Sequence, residues 1–552
     1  MVDRAEQPDD KTYSCYCAYQ FPFRPHDSAL VRFGSIPFDL GEAVGFSKSR
    51  ILLTGHKSGK QKAGEAFLIE RCESMKSICR RTEVLFLSAL FAFMLLGCGG
   101  KQPEGGAKPP ALQEAVSIAT DAYIYGYPLV TMDMTRKQMT NVATAGPEHA
   151  PMGQLLKLRT YPSVDNHAVT APNADTLYTI TWLDVSKEPW VFSIPDMGDR
   201  YYLMPMLSGW TDVFQVPGKR TTGDKAQKYA ITGPGWTGTL PQGVTEYKSP
   251  TGIVWILGRI YCTGTPEDYK AVHALQDKFS LVPLSYYGKP YTPLPAEVDA
   301  NFDMKTAVRD QVDGMDTYTY FNYLARLMKT NPPADADAPL VARMAKIGLI
   351  PGKDFDPSKL DLLDKEAIKA VPKLSVAKIM EYFKKAGKPL NGWIFTTKTG
   401  IYGTDYLQRA LITAIGLGAN RPQDAVYPTS EEDADGKKYD GAAHKYVIHF
   451  DKGQMPPANA FWSITMYDAK YFFVPNAINR YTVSSRTKFV PNADGSVDVY
   501  VQADSPGKAK EANSLPAPKA QFILMLRLYW PKETPPSIID GSWAPPPVKQ
   551  VD

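Results

Sequence analysis

The sequence predicts a β-rich α+β fold in which two antiparallel β blocks flank a helical segment. Short runs rich in aromatic and β-branched residues, separated by Gly, Pro, Asn and Asp turns, fill residues 160–295 and return at 430–545. Between the two blocks, apolar residues recur at helical spacing from residue 297 to residue 422. Strands and helices do not alternate regularly, which argues against a Rossmann or TIM-barrel architecture.

The N-terminal part of this fold begins with a predicted helix. Apolar residues recur at helical spacing from Ala111 to Gly126, and Pro128 is expected to end or kink that helix. Strand-like runs follow at Thr176–Leu183 and Arg200–Leu207. Their spacing between turn residues is typical of an antiparallel sandwich or barrel.

The middle and C-terminal elements are predicted from the same two periodicities. Helices are expected at Leu324–Met328, Leu340–Ile347, Lys373–Gly387 and Asp405–Gly418, with Gly and Pro as stop signals. Strands are expected at Tyr446–Phe450, Phe461–Tyr467, Val497–Val501 and Phe522–Tyr529. The sequence Asn492-Ala493-Asp494-Gly495 is a hairpin signal between strand-like runs.

An export signal lies well inside the chain. A basic head, Met75–Arg81, precedes the apolar run Val84–Leu96, which is shorter than a bilayer span and typical of a signal-peptide core. The run ends in Leu95-Leu96-Gly97-Cys98, which resembles the lipobox of bacterial lipoproteins. We expect residues 75–97 to be a lipoprotein signal peptide and Cys98 to be lipidated, so that the lipid anchors the protein to a membrane. The alternatives are a transmembrane helix or an uncleaved secretory signal.

Two further expectations concern the segments around this signal. Residues 1–74 precede a complete signal and show no sustained periodicity, so they are expected to be a mis-annotated upstream extension with Met75 as the true start. Residues 98–110 are expected to form a Gly/Pro tether. Gly99 is not the aspartate associated with inner-membrane retention, which favours the outer membrane, facing the periplasm or the cell surface.

Composition narrows the classes of function. Beyond residue 97 the chain holds 49 Lys/Arg against 47 Asp/Glu and no basic stripe interleaved with aromatics, which argues against a nucleic-acid partner. Only Cys98 and Cys262 follow the signal, so no disulfide framework is predicted, and Cys262 is interpreted as a small buried hydrophobe.

Catalytic and metal-binding signatures are missing from the mature chain. It contains no G-x-S-x-G, P-loop, H-E-x-x-H or C-x-x-C motif. His444 and His449 are the only close histidine pair, and a separation of five on a strand places them on opposite faces. No metal site and no cofactor are therefore predicted.

A family resemblance rests on five segments: Tyr123–Pro128, Pro172–Thr176, Leu324–Met328, Phe461–Asp468 and Leu526–Pro531. With these the chain resembles a bacterial pair of domains catalogued as domain of unknown function families 1254 (N-terminal) and 1214 (C-terminal). The resemblance runs from about residue 112 to the end and implies two jelly-roll-like β-sandwiches with a helical insert. Where the family shows Asn-Trp-Leu-Pro, this chain has Asn513-Ser514-Leu515-Pro516 and lacks the aromatic. The predicted domains are residues 111–296 (1254-like), a helical connector at 297–422, and residues 423–552 (1214-like).

Seven polar residues set among strand-like runs are the candidate site. Asp175, Asp212 and Tyr178 are the candidate catalytic groups, and Asn173, Arg200, Arg480 and Tyr481 are the candidate substrate-binding groups. Buried polar groups must either pair internally or face a wet cleft, so we expect the two β blocks to close over a shared cavity. The competing interpretation is that each residue forms a turn or a satisfied core contact.

Two functions remain open from the sequence. The first is a cell-envelope hydrolase of amide, glycan or ester substrates, with carboxylates and tyrosines doing acid–base work in the cleft. The second is a non-catalytic envelope protein that binds a small-molecule, glycan or peptide ligand or builds a surface assembly through strand edges. The sequence leaves open whether the protein is a homo-oligomer.

Overall fold

Two strand-rich regions with a helical segment between them make up the part of the chain that the computed structural model describes, residues 111–165, 170–385 and 389–551. The mixed α+β class predicted from the sequence is therefore confirmed. The predicted upstream extension, the signal peptide, the tether and Cys98 lie outside the described residues. Among the helices that the structure describes, none combines the length and apolarity needed to cross a membrane.

The helices are numbered in chain order. They are α1 (Leu112–Thr140), α2 (Pro266–Gln276), α3 (Val308–Asp313), α4 (Thr317–Leu327), α5 (Ala338–Lys346), α6 (Leu362–Ala367), α7 (Val371–Lys385) and α8 (Tyr406–Gly416). Short 3-10 helices lie at Leu284–Tyr286, Asp335–Asp337, Pro357–Lys359, Ile368–Ala370 and Glu511–Asn513.

Ten strands form the N-terminal β region. They are β1 (Leu156–Lys157), β2 (Thr176–Asp184), β3 (Trp190–Ile194), β4 (Tyr202–Leu203), β5 (Met206–Ser208), β6 (Val213–Gln215), β7 (Gln227–Thr232), β8 (Thr245–Lys248), β9 (Ile253–Tyr261) and β10 (Ser280–Pro283). A six-stranded sheet has the order β1-β2-β9-β5-β6, with β4 also on β9, and a four-stranded sheet has the order β10-β3-β7-β8. All pairs are antiparallel except β7–β8.

Ten strands also form the C-terminal β region. They are β11 (Trp393–Ile394), β12 (Ala425–Val426), β13 (Thr429–Ser430), β14 (Tyr446–Phe450), β15 (Ala458–Asp468), β16 (Thr482–Ser484), β17 (Val497–Gln502), β18 (Ser514–Pro516), β19 (Phe522–Pro531) and β20 (Val548–Gln550). Their six-stranded sheet has the order β11-β13-β19-β15-β16, with β12 also on β19, and their four-stranded sheet has the order β18-β17-β14-β20. Strand β11 falls inside the segment that was predicted to be a helical connector.

The two β regions share one strand order. If β1, β2, β9, β5 and β6 are matched with β11, β13, β19, β15 and β16, five strands of each six-stranded sheet coincide, whereas the sixth strands, β4 and β12, do not correspond. The four-stranded sheets coincide in the same chain order, and the parallel pair β7–β8 falls on the parallel pair β17–β18. The chain therefore contains the same β arrangement twice.

Alternating side chains explain how the layers pack. Along β9, Val254 and Ile256 belong to the core shared by the two N-terminal sheets, whereas Trp255 and Leu257 point the other way. That opposite face packs in one cluster with residues of the C-terminal β region, including Phe461. The two six-stranded sheets therefore contact each other through their outer faces.

Helix α1 precedes both β regions in the chain, and the helices of the segment between them pack around it. Its residues from Ala122 to Met134 are buried, and three tyrosine–aspartate hydrogen bonds link it to its neighbours, among them Tyr125 OH to Asp337 Oδ2 at 3.0 Å. The helix continues through Pro128 to Thr140, so of the two predicted outcomes, an end or a kink, Pro128 does not produce the end. Packing on every side holds the helix together despite the missing backbone donor.

Candidate functional site

A cleft of about 790 Å³ opens where the two β regions meet. Both regions contribute to its wall, since Arg200 and Tyr261 come from the first and Arg486 and Trp530 from the second. The full lining is Met197, Asp199, Arg200, Tyr201, Lys219, Tyr261, Ala271, Ala274, Leu275, Lys278, Asn459, Ala460, Phe461, Ser485, Arg486 and Trp530. Of the seven residues predicted for the site, Arg200 is the one that lines this cleft.

Four cations and one carboxylate face the cleft. The Arg200 guanidinium is held by Asp268, with Nη2 to Oδ1 at 2.6 Å and Nη1 to Oδ2 at 3.2 Å. Burial raises the pKa of Asp268, but hydrogen bonds from Arg200 and from the backbone N–H of Thr263 outweigh it and lower that pKa to about 2. Because Asp268 lies behind the wall, Arg200 keeps its position while the lining itself stays cationic.

The other two paired cations follow the same pattern. Lys219 Nζ lies 3.1 Å from Asp224 Oδ2, and Arg486 Nη1 lies 2.8 Å from Asp175 Oδ1. Neither of these carboxylates lines the cleft. The lining thus holds Arg200, Lys219, Lys278 and Arg486 against Asp199 alone.

An aromatic layer forms the apolar side of the cleft. Tyr201 stacks on Trp530 at 6.4 Å between ring centroids and meets Phe461 edge-on at 5.8 Å. Tyr261 lies 4.5 Å from the Phe461 ring. These rings offer flat apolar surface beside the cationic rim.

The segment Ala171–Asp175 lies between the two β regions and is hydrogen-bonded to the C-terminal one. Asp175 is fully buried, and its two oxygens accept from Arg486 Nη1 at 2.8 Å and from Ser463 Oγ at 2.5 Å. Asn173 Oδ1 accepts the backbone N–H of Asp175, while Asn173 Nδ2 donates to Tyr529 OH at 2.8 Å. Asp175 and Asn173 therefore join the two regions, and their side-chain polar atoms are hydrogen-bonded within that contact.

Tyr178 belongs to a buried network on the same interface. It is the cross-strand neighbour of Arg259, whose guanidinium lies 5.3 Å from the Tyr178 ring centroid. Arg259 Nη1 donates to Asn420 Oδ1 at 3.0 Å, and Asn420 Nδ2 donates to Tyr427 OH at 2.6 Å. Arg259 has no carboxylate partner among the described residues, so its charge is balanced by amide, carbonyl and ring contacts.

Three buried polar atoms beside this network have no hydrogen-bond partner in the described part of the chain. They are Tyr201 OH, Arg259 Nε and Asp424 Oδ2. Burial raises the pKa of Asp424, against the opposing effect of Arg220, which donates to its Oδ1 at 2.8 Å. A buried polar group without a partner typically costs about 1 to 3 kcal/mol, so these atoms lower the stability of the interface.

Asp212 lies in a different network from Asp175. Its Oδ1 accepts the backbone N–H of Tyr402 at 3.1 Å, and its Oδ2 lies 3.6 Å from Arg409 Nη2. Burial raises the pKa of Asp212, and Arg409 opposes that shift. Asp212 thus contacts two residues of the helical segment, whereas Asp175 pairs with Arg486 of the C-terminal β region.

Arg480 and Tyr481 serve the C-terminal β region itself. Arg480 Nη1 donates to three backbone carbonyls, including Glu511 O at 2.6 Å and Ser514 O at 3.0 Å. Tyr481 packs on Phe473 with ring centroids 5.1 Å apart. Neither side chain lines the cleft.

Most residues of the cationic wall, and the buried arginines, were not predicted from the sequence as site residues. Lys219, Lys278 and Arg486 lie outside the motif segments and look like ordinary surface residues in the sequence. Arg259 and Arg527 carried a usable signal, because each interrupts an apolar strand-like run, at Ile253–Tyr261 and Phe522–Pro531. A charged residue in such a run is rarely buried without a specific partner.

Metal-binding groups are not assembled in the described residues, where no cluster of three or more His, Cys, Asp or Glu side chains is found. His449 instead pairs with Asp498 and Asp451, with Nδ1 to Asp498 Oδ1 at 2.6 Å. Cys262 is a buried free cysteine, as predicted.

Comparison with known proteins assigns two domains. Residues 152–283 match the family model described as "Protein of unknown function (DUF1254)", and residues 424–533 match "Protein of unknown function (DUF1214)". No curated protein matches the chain. The crystal structure of the VPA0106 protein from Vibrio parahaemolyticus is 26% identical, with a TM-score of 0.60 over 79% of this chain and 100% of that chain. An uncharacterized protein from Burkholderia cenocepacia is 14% identical, with a TM-score of 0.36 over 80% of this chain and 94% of that chain. The chain thus contains a DUF1254 domain and a DUF1214 domain.

Proposed function

We propose that this protein is a lipid-anchored cell-envelope protein that binds a small organic anion in the cleft between its two β regions. The observation that carries the proposal is the lining of that cleft, which has four cations, one carboxylate and a layer of aromatic rings. Its volume of about 790 Å³ lies within the range of ligand sites. The ligand is expected to combine a negative charge with a flat apolar or sugar-like face.

Charge complementarity supports an anionic ligand. Asp268, Asp224 and Asp175, which pair with Arg200, Lys219 and Arg486, do not line the cleft, whereas Asp199, 3.6 Å from Lys219, does. The lining therefore presents four cations to a ligand against one carboxylate. Lys278 lines the cleft and pairs with no carboxylate among the described residues. A cleft lined by one sign of charge focuses the field and raises the local concentration of counter-ions.

Binding accounts for the cleft better than hydrolysis does. A hydrolase that works by acid–base chemistry needs a carboxylate or another base within reach of the substrate. Asp175 is fully buried with both oxygens occupied, and Asp212 is bound by Tyr402 and Arg409. Asp199, the carboxylate that lines the cleft, is fully exposed and lies 3.6 Å from Lys219 Nζ.

The cell-envelope location rests on the sequence. A signal peptide at residues 75–97 and lipidation of Cys98 would anchor the protein, and residues 98–110 would link the anchor to α1. We also propose that each β region is a jelly-roll-like sandwich, as the family resemblance in the sequence implies. Radiolabelled palmitate should enter the wild-type protein and not the Cys98→Ala variant. Equal labelling of the two would refute the anchor.

The test of ligand binding uses charged and neutral probes of matched shape. Benzoate and galacturonate should raise the unfolding temperature of the protein, whereas benzyl alcohol and galactose should raise it less, because only the anions interact with the cationic wall. Lys278→Glu should abolish the difference. Lys452→Glu, an exposed lysine of the C-terminal β region, is the matched control and should preserve it.

The outcomes separate the two functions. Equal response to anions and neutral probes would refute the anionic ligand. Turnover of amide, ester or glycan substrates that is lost in both Asp175→Asn and Asp212→Asn would instead establish the hydrolase.

A further inference from the structure

A β-bulge forms part of the wall of the cleft. The pairing of β15 with β19 shifts register between Ala458 and Phe461. At that shift, Asn459 and Ala460 together lie opposite Trp530, and all three of these residues line the cleft. Bulges are frequent beside functional sites, where they turn a side chain away from the ordinary alternation of a strand.

Trp530 adopts a backbone conformation that is unusual for a bulky residue. Its φ of 50° lies in the left-handed region, where a large side chain is strained. The indole is half-buried, although the residues on either side of it in β19, Tyr529 and Pro531, are buried. Tyr201 packs along the indole with ring planes 21° apart. The bulge therefore presents the Trp530 ring to the cleft.

The repeated β arrangement shows that the fold itself does not require this strain. Cys262 takes the place of Trp530 in the first β region, one residue beyond the Arg-x-Tyr sequence that the equivalent strands β9 and β19 share. The backbone N–H groups of both residues donate to an aspartate carbonyl, that of Asp175 at 2.8 Å and that of Asp424 at 2.9 Å. Cys262 is nevertheless buried and does not adopt a positive φ. The strained tryptophan is thus a departure from the repeat, and it occurs where the cleft opens.

Uncharged polar groups accompany the tryptophan. Asn459, Ser485 and Trp530 line the cleft, and their amide, hydroxyl and indole N–H groups form no hydrogen bond with another described residue. Asn459 and Ser485 are exposed. Such groups can donate hydrogen bonds to a ligand or accept them from it. The lining therefore combines four cations and one carboxylate with an aromatic ring and neutral hydrogen-bonding groups.

We infer that the ligand of the cleft is an acidic sugar, with its ring on Trp530, its hydroxyls at Asn459 and Ser485, and its carboxylate at the cations of the lining. The inference rests on the proposed binding of an organic anion in the cleft and names the class of that anion. A pyranose ring has an apolar face of C–H groups that packs on an aromatic ring, and its hydroxyls need polar partners. An aromatic acid would use the ring and the cations and leave Asn459 and Ser485 without a partner.

The first test compares ligands that differ in one feature. In isothermal titration calorimetry, galacturonate should bind at least about 10-fold more tightly than galactonate, the open-chain acid of equal charge, or galactose, the uncharged ring. Trp530→Leu should weaken the binding of galacturonate about 10-fold and leave that of galactonate unchanged, because only a ring can pack on the indole. Trp236→Leu removes a half-buried tryptophan outside the cleft and should change neither affinity.

The second test removes a hydrogen-bonding group from an exposed residue, so that folding is preserved. Asn459→Ala should weaken the binding of galacturonate about 3- to 10-fold and leave that of benzoate unchanged, because benzoate has no hydroxyl groups. Asn301→Ala, which changes an exposed asparagine outside the cleft, should affect neither ligand. If Trp530→Leu does not fold, Asn459→Ala decides the inference.

The outcomes separate the acidic sugar from the proposed anion site. Equal affinity for galacturonate and galactonate, or wild-type affinity for galacturonate in Asn459→Ala, would overturn the acidic sugar and leave the anion site intact. Equal affinity for galacturonate and galactose, or no binding of either acid, would instead refute the proposed anionic ligand.

Discussion

Replacing Arg486 by methionine should destabilise the contact between the two β regions. Arg486 donates from Nη1 to Asp175 Oδ1 at 2.8 Å and from Nη2 to Ala174 O at 2.9 Å. Asp175 is fully buried, whereas 24% of the Arg486 side chain is exposed. The substitution therefore leaves a buried carboxylate with one remaining hydrogen bond, from Ser463.

The expected loss in the free energy of unfolding comes from the unpaired charge of the buried Asp175 carboxylate. Removing one partner of a buried ion pair usually costs about 3 to 5 kcal/mol, and the partial exposure of Arg486 places this case near about 3 kcal/mol. Asp175→Asn in the same background should recover part of the loss, because it removes the uncompensated charge and keeps a polar group for Ser463. The double variant should therefore be more stable than the sum of the two single losses predicts.

Urea unfolding followed by tryptophan fluorescence measures these differences in the free energy of unfolding. Arg326→Met provides the control, since Arg326 Nε lies 2.9 Å from Asp354 Oδ1 with both side chains about 70% exposed. That surface pair should contribute less than about 1 kcal/mol. A loss below about 1 kcal/mol in Arg486→Met, or additive losses in the double variant, would refute the interpretation of Arg486 and Asp175 as a buried clasp.

Three further predictions concern packing and protonation. Gly126→Ala should cost about 1 to 3 kcal/mol of stability in urea unfolding, because its Cβ would lie 2.3 Å from Leu324 Cδ2; an unchanged midpoint would contradict this. Tyr201→Phe should leave stability unchanged or raise it by about 1 kcal/mol, because the buried hydroxyl has no partner among the described residues, and a clear loss would reveal one. The His449 pKa should lie above its usual 6.5 in an NMR titration because His449 donates a hydrogen bond to Asp498. The stabilising effect of this pair is complete below pH 6.5 and declines as pH rises through the folded-state pKa. Asp498→Asn should lower that pKa, and an unaltered titration would count against the pairing.

Local patterns predicted the architecture because they depend on neighbours in the sequence. The amphipathic periodicity around Leu324 and Leu340 appears as α4 and α5, and the run Phe522–Tyr529 appears within β19. Pro128 does not end α1, and the reason is physical. Helix α1 is enclosed by other helices, so packing from all sides outweighs a local breaker that would stop an exposed helix.

Partners could not be predicted in the same way, because they depend on contacts far apart in the chain. Asp175 was recognisable as a polar residue at the start of a strand, but its partner Arg486 is 311 residues away. Asp212 looked equivalent in the sequence, yet it contacts Tyr402 and Arg409. Tertiary packing alone decides whether a buried carboxylate faces a cleft or pairs across an interface.

The buried arginines Arg259 and Arg527 occupy equivalent strands of the repeated β arrangement. Strand β9 occupies the same place in the first six-stranded sheet as β19 occupies in the second, and the two strands carry Arg259-Ile260-Tyr261 and Arg527-Leu528-Tyr529. Each arginine reaches beyond its own β region. Arg259 donates to Asn420, which lies between α8 and β12, and Arg527 donates from Nη2 to Ala171 O at 2.9 Å.

Because Arg259 and Arg527 each donate hydrogen bonds beyond their own β region, the interface is polar although it joins two β-sheet faces. Apolar outer faces alone would slide or pair with other sheets, whereas buried arginines require particular oxygen acceptors opposite them. The acceptors for Arg527 are carbonyls and hydroxyls rather than carboxylates, and the nearby buried carboxylate of Asp175 raises the Arg527 pKa. The cleft opens at the edge of the same interface. Its cationic wall is therefore an extension of the arginine-rich contact that holds the two β regions together.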